Sequence, residues 1–288
     1  MTRMIDAAGV YEVSEGEYLA DPMAHKGGSL SSTEARLLLE SPAKFRWRRE
    51  HGQEHSEDFD FGKAAHSVLL GVGAKFDVVE ADDWRSKDAR AARDASRAAG
   101  RVPMLAKQLP VVQAMVEAVR AHPIAGPLFD LEHGDAERTI VWPDKRTGVW
   151  RRARPDLLPH VPESGRLIVP EYKTTQHAGR RAFGHTVANF GYHQQAEWYL
   201  DGVRTVLGVT DPALVFVAQE KWPPYLVNVL ELDRYAMTIG RERNRRAIDV
   251  YVSCVESGQW PGYGDEVQQA SLPRWAEIQH EEDMQSEH

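Results

Sequence analysis

The apolar residues of this chain change their spacing near residue 137, and that change limits the folds open to it. Upstream they recur at helical intervals. Ala35, Leu38 and Leu39 follow Ser31-Ser32-Thr33-Glu34, whose first and last members have capping-box spacing. Ser41-Pro42 ends that helix and begins another carrying Ala43, Phe45 and Trp47, because proline suits a first helical position. Phe61 to Leu70 predicts a third helix and Lys75 to Glu80 a short strand. Residues 86–99 and 105–121 read as two further helices, the second amphipathic through Leu105, Leu109, Val112, Met115, Val116 and Val119. From Glu137 the pattern is that of strands, at Glu137–Trp142, Gly148–Leu158 and Arg166–Thr174, joined by turn residues. Residues 179–206 return to helix, Leu214–Glu220 and Tyr225–Leu230 pair around Pro223-Pro224, and 233–257 form a long helix. Helices, a three-strand meander, a helix, two strands and a helix predict a mixed α/β (α+β) domain with a central sheet. A TIM barrel and a regular Rossmann repeat are both excluded.

A chain of 288 residues buries a large core without a covalent or metal staple. The single cysteine, Cys254, excludes a disulfide framework, a Cys-ligated zinc finger and a four-Cys iron–sulfur cluster, and fits a reducing compartment. No apolar run approaches the roughly 18–20 residues of a membrane span. The first residues, Met1 to Asp6, lack the basic-then-apolar pattern of a signal peptide, so a cytoplasmic protein without a membrane partner is expected. The net charge of -8 speaks weakly against nucleic acid, but the charge is uneven. Residues 276–288 hold five acids and no Lys or Arg, whereas basic residues come in bursts at 46–49, 85–101, 151–154 and 241–246. For a polyanion the local field matters more than the total. Residues 1–28 read as a loose arm, 29–262 as one domain (29–125 mainly helical) and 263–288 as a mobile acidic tail.

The chemistry lies in the predicted meander. Asp156 follows Arg154-Pro155, and Glu171-Tyr172-Lys173 follows a turn-rich stretch. Alternate strand residues share a face, so Glu171 and Lys173 point one way and Tyr172 the other. If the two strands form a hairpin, Asp156 lies beside Glu171. Two carboxylates then offer oxygen ligands to a hard divalent cation such as Mg²⁺. A neighbouring lysine orients or deprotonates an attacking water, or neutralises phosphate charge. This is the minimal equipment for metal-assisted phosphodiester hydrolysis.

Three stretches extend that pattern: Gly148 to Leu158, Pro170 to Thr175, and Tyr192-His193-Gln194-Gln195-Ala196-Glu197-Trp198-Tyr199. Together they resemble the PD-(D/E)XK nuclease superfamily, and within it the phage and prophage exonucleases of the exodeoxyribonuclease VIII (RecE-like) type. Leu30 to Phe45 resembles that family's N-terminal helix pair, and Phe61-Gly62-Lys63-Ala64-Ala65-His66 its Gly-x-Ala-x-His helix. The resemblance implies a restriction-endonuclease-like core, a central mixed sheet flanked by helices, with an N-terminal helical part. It implies His66, Asp156, Glu171 and the Tyr172 carbonyl as metal ligands and Lys173 as the catalytic lysine. Gln195 and Tyr199, on one helix face by their i,i+4 spacing, would line the site and touch the DNA strand, and Glu137 corresponds to a further acid. Arg152 and Arg154 are expected to contact DNA. Pro170, directly before Glu171, removes a backbone donor and points to an edge, a bulge or a strand start.

The function so implied is a Mg²⁺-dependent exonuclease (Mn²⁺ substituting) acting on ends of linear double-stranded DNA, resecting 5′ to 3′ for phage-type recombination. A single-strand annealing protein would be its partner, and a homo-oligomer, with a closed ring as one form, its assembly. The alternatives are an endonuclease or a single-strand-specific nuclease on the same core, and a non-catalytic DNA-binding relative.

Overall fold

The computed structural model describes residues 4–23, 27–52, 57–72 and 75–286. In chain order its elements are β1 (Gly9–Tyr11), α1 (Glu15–Leu19), β2 (Ser29–Leu30), α2 (Ser32–Glu40), α3 (Pro42–His51), α4 (Glu57–Leu70), β3 (Phe76–Val79), α5 (Lys87–Ala98) and β4 (Val102–Leu105). After a 3-10 turn come α6 (Leu109–Ala121), α7 (Ala125–Leu128), β5 (Gly134–Ala136), β6 (Thr139–Pro143), β7 (Trp150–Ala153), β8 (Leu157–Pro159) and β9 (Ile168–Thr175). The chain continues with α8 (Arg180–Phe190), α9 (Tyr192–Leu207), β10 (Ala213–Glu220), β11 (Val227–Glu231), α10 (Arg234–Ser257) and α11 (Arg274–Ser286).

The fold is mixed α/β, as expected. Two sheets frame the site, one ordered β1-β6-β7-β2 and one ordered β11-β10-β9. The second is mixed: β10 pairs antiparallel with β11 and parallel with β9. A parallel pair needs a crossover, and α8 with α9 supplies it between β9 and β10. The predicted three-strand meander does not form. β6 and β7 pair antiparallel, with Trp142 opposite Arg151, but β9 joins β10 instead. The stretch Gly148–Leu158 is two strands, because Pro155 has no N–H to carry the ladder through; β8 beyond it pairs with β5.

The capping predictions hold. The Ser31 hydroxyl accepts from Glu34 N and the Glu34 carboxylate accepts from Ser31 N, while Ser41 caps α3 with Pro42 in its first turn. The predicted helix 179–206 is two helices, divided at Gly191, whose φ of 66° suits a residue without Cβ. The predicted helix 105–121 begins only at Leu109, since Val102–Leu105 is a buried strand paired with β3. Residues 1–28, expected as a loose arm, are tied down where the structure describes them. β1 pairs with β6, Ile5 bridges Met23, and both side chains are buried (1–3 and 24–26 lie outside the described residues). Of the acidic tail, Arg274–Ser286 is a helix on the surface. Among the described residues no helix is long and apolar enough to cross a membrane.

Two cores flank β9. Leu30, Phe45, Trp142, Phe183, Trp198 and Phe216 fill one, against α2, α9 and α10; Leu70, Met104, Val112, Val116, Tyr172 and Val217 fill the other, against α4 and α6. The strand's alternation sends Tyr172 into the second core and leaves Glu171 and Lys173 facing α9. Helices α9 and α10 cross closely at Gly240, where an added Cβ would stand 2.2 Å from the His193 carbonyl oxygen. Gly240→Ala is therefore expected to lower stability by about 3 kcal/mol, because backbone cannot yield as a side-chain tip can. Denaturant unfolding measures this, and an unchanged midpoint would contradict the close crossing.

Candidate active site

Asp156 occupies the break between β7 and β8, and four contacts fix it. Its Oδ2 accepts from Tyr172 N at 2.6 Å, and its Oδ1 lies 2.8 Å from His66 Nε2. Its own N–H points at Glu171 Oε2, 3.4 Å away, and its carbonyl accepts from Glu137 N at 3.0 Å. So Asp156 does meet Glu171, but across a side-chain-to-backbone bridge rather than the predicted hairpin ladder. In a β-strand the N–H and C=O of one residue leave by the same edge. The Tyr172 N–H faces Asp156, so its carbonyl also lies on the β9 edge away from β10. The missing N–H of Pro170, two residues back, falls on that same edge and costs the β9–β10 ladder nothing.

Glu171 is 2% exposed. Its Oε1 accepts from Lys173 Nζ at 2.8 Å and from Gln195 Nε2 at 2.7 Å, and the same Gln195 amide lies 3.1 Å from the Tyr199 hydroxyl. Gln195 and Tyr199 thus come from one face of α9, as their spacing predicts. Lys173 Nζ also sits 5.1 Å from the centre of the Tyr192 ring. His66, on α4, reaches Asp156 with one ring nitrogen and Glu137 Oε1 with the other, at 3.4 Å. Glu137 has φ of 52°, a left-handed conformation that costs a residue with a side chain about 1–3 kcal/mol. Its carboxylate pairs with both His66 and Arg154.

The charges are strongly coupled. Burial first, then the Asp156 carboxylate, pushes the Glu171 carboxyl up to about 7. Burial also works to raise Asp156, but His66, Lys173 and the Tyr172 N–H outweigh it and hold that carboxyl below its ordinary range. Burial would lower His66, yet Asp156 and Glu137 raise it overall. Burial likewise opposes the Lys173 charge, and Glu171 leads the groups that restore it.

The chain carries Pro155-Asp156 and Glu171-Tyr172-Lys173 around one strand edge. A family model described as "PDDEXK-like domain of unknown function (DUF3799)" matches residues 31–273. The chain belongs to this family. No curated protein matches it. Among solved structures, a crystal structure named "Putative exonuclease" from Eubacterium rectale superposes with a TM-score of 0.55 at 10% sequence identity, covering 91% of this chain and 97% of that one. At that identity the likeness is one of fold, and the family model carries the PDDEXK-like assignment.

PDDEXK-like domains generally use divalent metals, and the donors of this one fit one: two carboxylates and a strand carbonyl suit a hard cation, and an imidazole beside them adds a nitrogen donor. As they stand these groups close on one another, and among the described residues no three His, Cys, Asp or Glu side chains are arranged to hold a metal ion. The His66 imidazole bridges Asp156 and Glu137, whose carboxylates favour its protonated form, and Glu171 is pushed toward its neutral form. Both are signs of negative charge that a cation would relieve. Released from Asp156, the His66 Nε2 lone pair becomes available while Glu137 keeps hold of Nδ1, the usual carboxylate–imidazole arrangement behind a metal ligand.

Two site residues expected for this PDDEXK-like domain are corrected. Arg152, expected at the DNA, is turned inward. Its side chain is 5% exposed; it donates to the Ser29 carbonyl at 2.5 Å, pairs with Glu34 at 3.0 Å and lies over the Tyr18 ring. Arg154 has its charge taken by Glu137, donates to the Val13 carbonyl and also lies over Tyr18. Arginines expected to hold DNA instead bind the segment expected to be loose. The basic run 151–154 is plain in the sequence, but the buried acids that pair with it are not, nor is the hold that Glu137 has on His66 and Arg154. The signal was there in retrospect, since Glu137 and Arg154 belong to strands predicted as neighbours.

Proposed function

We propose that this chain is a Mg²⁺-dependent DNA nuclease that hydrolyses phosphodiester bonds at the edge of β9, with Mn²⁺ able to substitute. The convergence of Asp156, Glu171 and Lys173 with His66 and Gln195 on one strand edge carries this reading. Asp156, Glu171, His66 and the Tyr172 carbonyl are the groups that would hold the cation. Bound there, a hard divalent ion neutralises phosphate charge and acidifies a water molecule. The Lys173 ammonium, charged beside Glu171, orients the attacking water and faces the negative charge that grows on the phosphate. Gln195 fixes Glu171 Oε1 so that the carboxylate keeps its direction, and Tyr199 fixes Gln195. Glu137 sets the ring plane of His66.

Within that reading the substrate is the end of linear duplex DNA, resected from the 5′ side. The resemblance to exodeoxyribonuclease VIII-type enzymes and the exonuclease name of a protein of like fold support this narrower statement. Digestion of linear duplex labelled at either end, beside a covalently closed circle, tests both levels. Labelled mononucleotides from the 5′ end and an intact circle are expected. Cutting of the circle would overturn the exonuclease, and no hydrolysis with either cation would overturn the nuclease. Cation binding also carries a pH signature. The ion must displace the proton that Glu171 retains below about 7. Affinity is therefore expected to rise with pH, by about tenfold per unit for each proton displaced, and to flatten above neutrality. Calorimetry between pH 6 and 8 reads the slope, and a flat profile would contradict a buried, proton-holding ligand pair.

A further inference from the structure

With Arg152 and Arg154 spent inside the protein, the site needs other groups to hold a nucleic-acid strand. The surface beyond the C-terminal ends of β9 and β10 supplies them. Trp222 is 65% exposed at the tip of the β10–β11 hairpin. Arg180 and Arg181, the first residues of α8, are exposed, and neither meets a carboxylate among the described residues.

These residues belong to one rigid block with the catalytic strand. Lys221 N donates to the Thr175 carbonyl at 3.2 Å, so the hairpin leaves β10 still attached to the end of β9. Ala178 is gripped from both hairpin strands: its N–H donates to Glu220 Oε1 at 3.0 Å and its carbonyl accepts from Asn228 Nδ2 at 2.8 Å. Arg180 follows two residues later. Gln219, fully buried, accepts from the Tyr172 hydroxyl at 2.6 Å and donates to the Tyr225 carbonyl at 3.2 Å, tying the hairpin turn to the residue between Glu171 and Lys173. The register sets Ala218 opposite Lys173. Trp222 therefore lies no more than about 13 Å further along, at about 3.3 Å per residue. That span equals roughly four stacked nucleotides at 3.4 Å each.

An exposed indole on a fixed support, two free guanidinium groups and a continuous connection to the site suit one kind of partner. Every base offers a π-face to an aromatic side chain, and every phosphate offers a charge to arginine. We propose that Trp222 stacks on an unpaired base of the DNA strand whose scissile phosphate lies at Lys173, while Arg180 and Arg181 hold phosphates of the same strand. This inference rests on the nuclease reading and adds to it a grip on single-stranded DNA next to the cut.

Fluorescence anisotropy tests it in full-length Lys173→Ala protein, with two labelled probes: a blunt duplex and the same duplex with a ten-nucleotide overhang. Adding Trp222→Ala is expected to weaken binding of the overhang probe by about tenfold and to leave the blunt probe within twofold. Trp222→Phe is expected to restore most of the loss. Arg180→Ala with Arg181→Ala is expected to weaken both probes and to flatten the salt dependence by about two units of slope. Equal binding of the overhang probe by parent and Trp222→Ala would overturn the proposal. So would a loss confined to self-association in light scattering, which would make the indole a protein contact. A parent that binds neither probe would overturn the nuclease reading itself. A melting point shared by parent and Trp222→Phe, with only the parent gripping the overhang, would also count against stacking.

Discussion

Lys173→Ala is expected to slow DNA hydrolysis by about a thousandfold, the scale of removing one fixed charge that faces a developing anion. DNA binding should stay within about twofold of the unaltered protein, because the ammonium, paired with Glu171, faces a single phosphate while other groups hold the rest of the strand. The fold should survive for a particular reason. Without its lysine, Glu171 would be a carboxylate 2% exposed and deprived of its cation. Its carboxyl is already pushed up to about 7, so it takes up a proton and becomes a neutral hydrogen-bonding group. Turnover measured beside a thermal melt separates the two effects. Parent-like turnover would remove Lys173 from the chemistry, and a collapsed melt would show that its role is structural.

Asp156→Ala is expected to abolish cation binding in calorimetry and reduce cleavage by at least about a thousandfold, since it removes a ligand outright. Unlike the lysine variant it should also destabilise the fold, by about 2 kcal/mol. The Tyr172 N–H, which donates to Asp156 at 2.6 Å on a strand edge with no other partner there among the described residues, would be left unpaired. Asp156→Asn separates the two roles. The amide oxygen still accepts from Tyr172, so this variant should melt close to the parent, yet the lost charge should still cost most of the cation affinity. If the alanine variant bound Mg²⁺ like the parent, the ligand assignment would fail.

The chemistry was more legible in the sequence than its support. Alternation along Glu171-Tyr172-Lys173 and helical spacing at Gln195 and Tyr199 are local rules, and they put those side chains where the geometry has them. Ser31, Glu34, Ser41 and Pro42 carry their meaning within four residues of themselves. Strand partners do not. Nothing inside Ile168–Thr175 says that it pairs with Ala213–Glu220 across two helices instead of with the nearer Trp150–Ala153. The buried arginines fail for a similar reason. Arg152 looks like a surface cation until Glu34 and Ser29, more than a hundred positions away, are seen closing around it. Gly191 divides α8 from α9 through one backbone angle that apolar periodicity does not register. The two prolines that follow Trp222 mark the turn that carries it.

Pro170 has one more effect. β9 is the terminal strand of its sheet, and the side away from β10 is where Asp156 stands. A bare strand margin invites any extended peptide to zip onto it, whether from a second molecule or from an unfolded neighbour. The ring nitrogen of Pro170 leaves a gap in the row of donors such a peptide would need, and the Asp156 carboxylate already occupies the next one. The doorway to the reactive groups is thereby kept from being stitched shut, at no expense to the pairing on the opposite side.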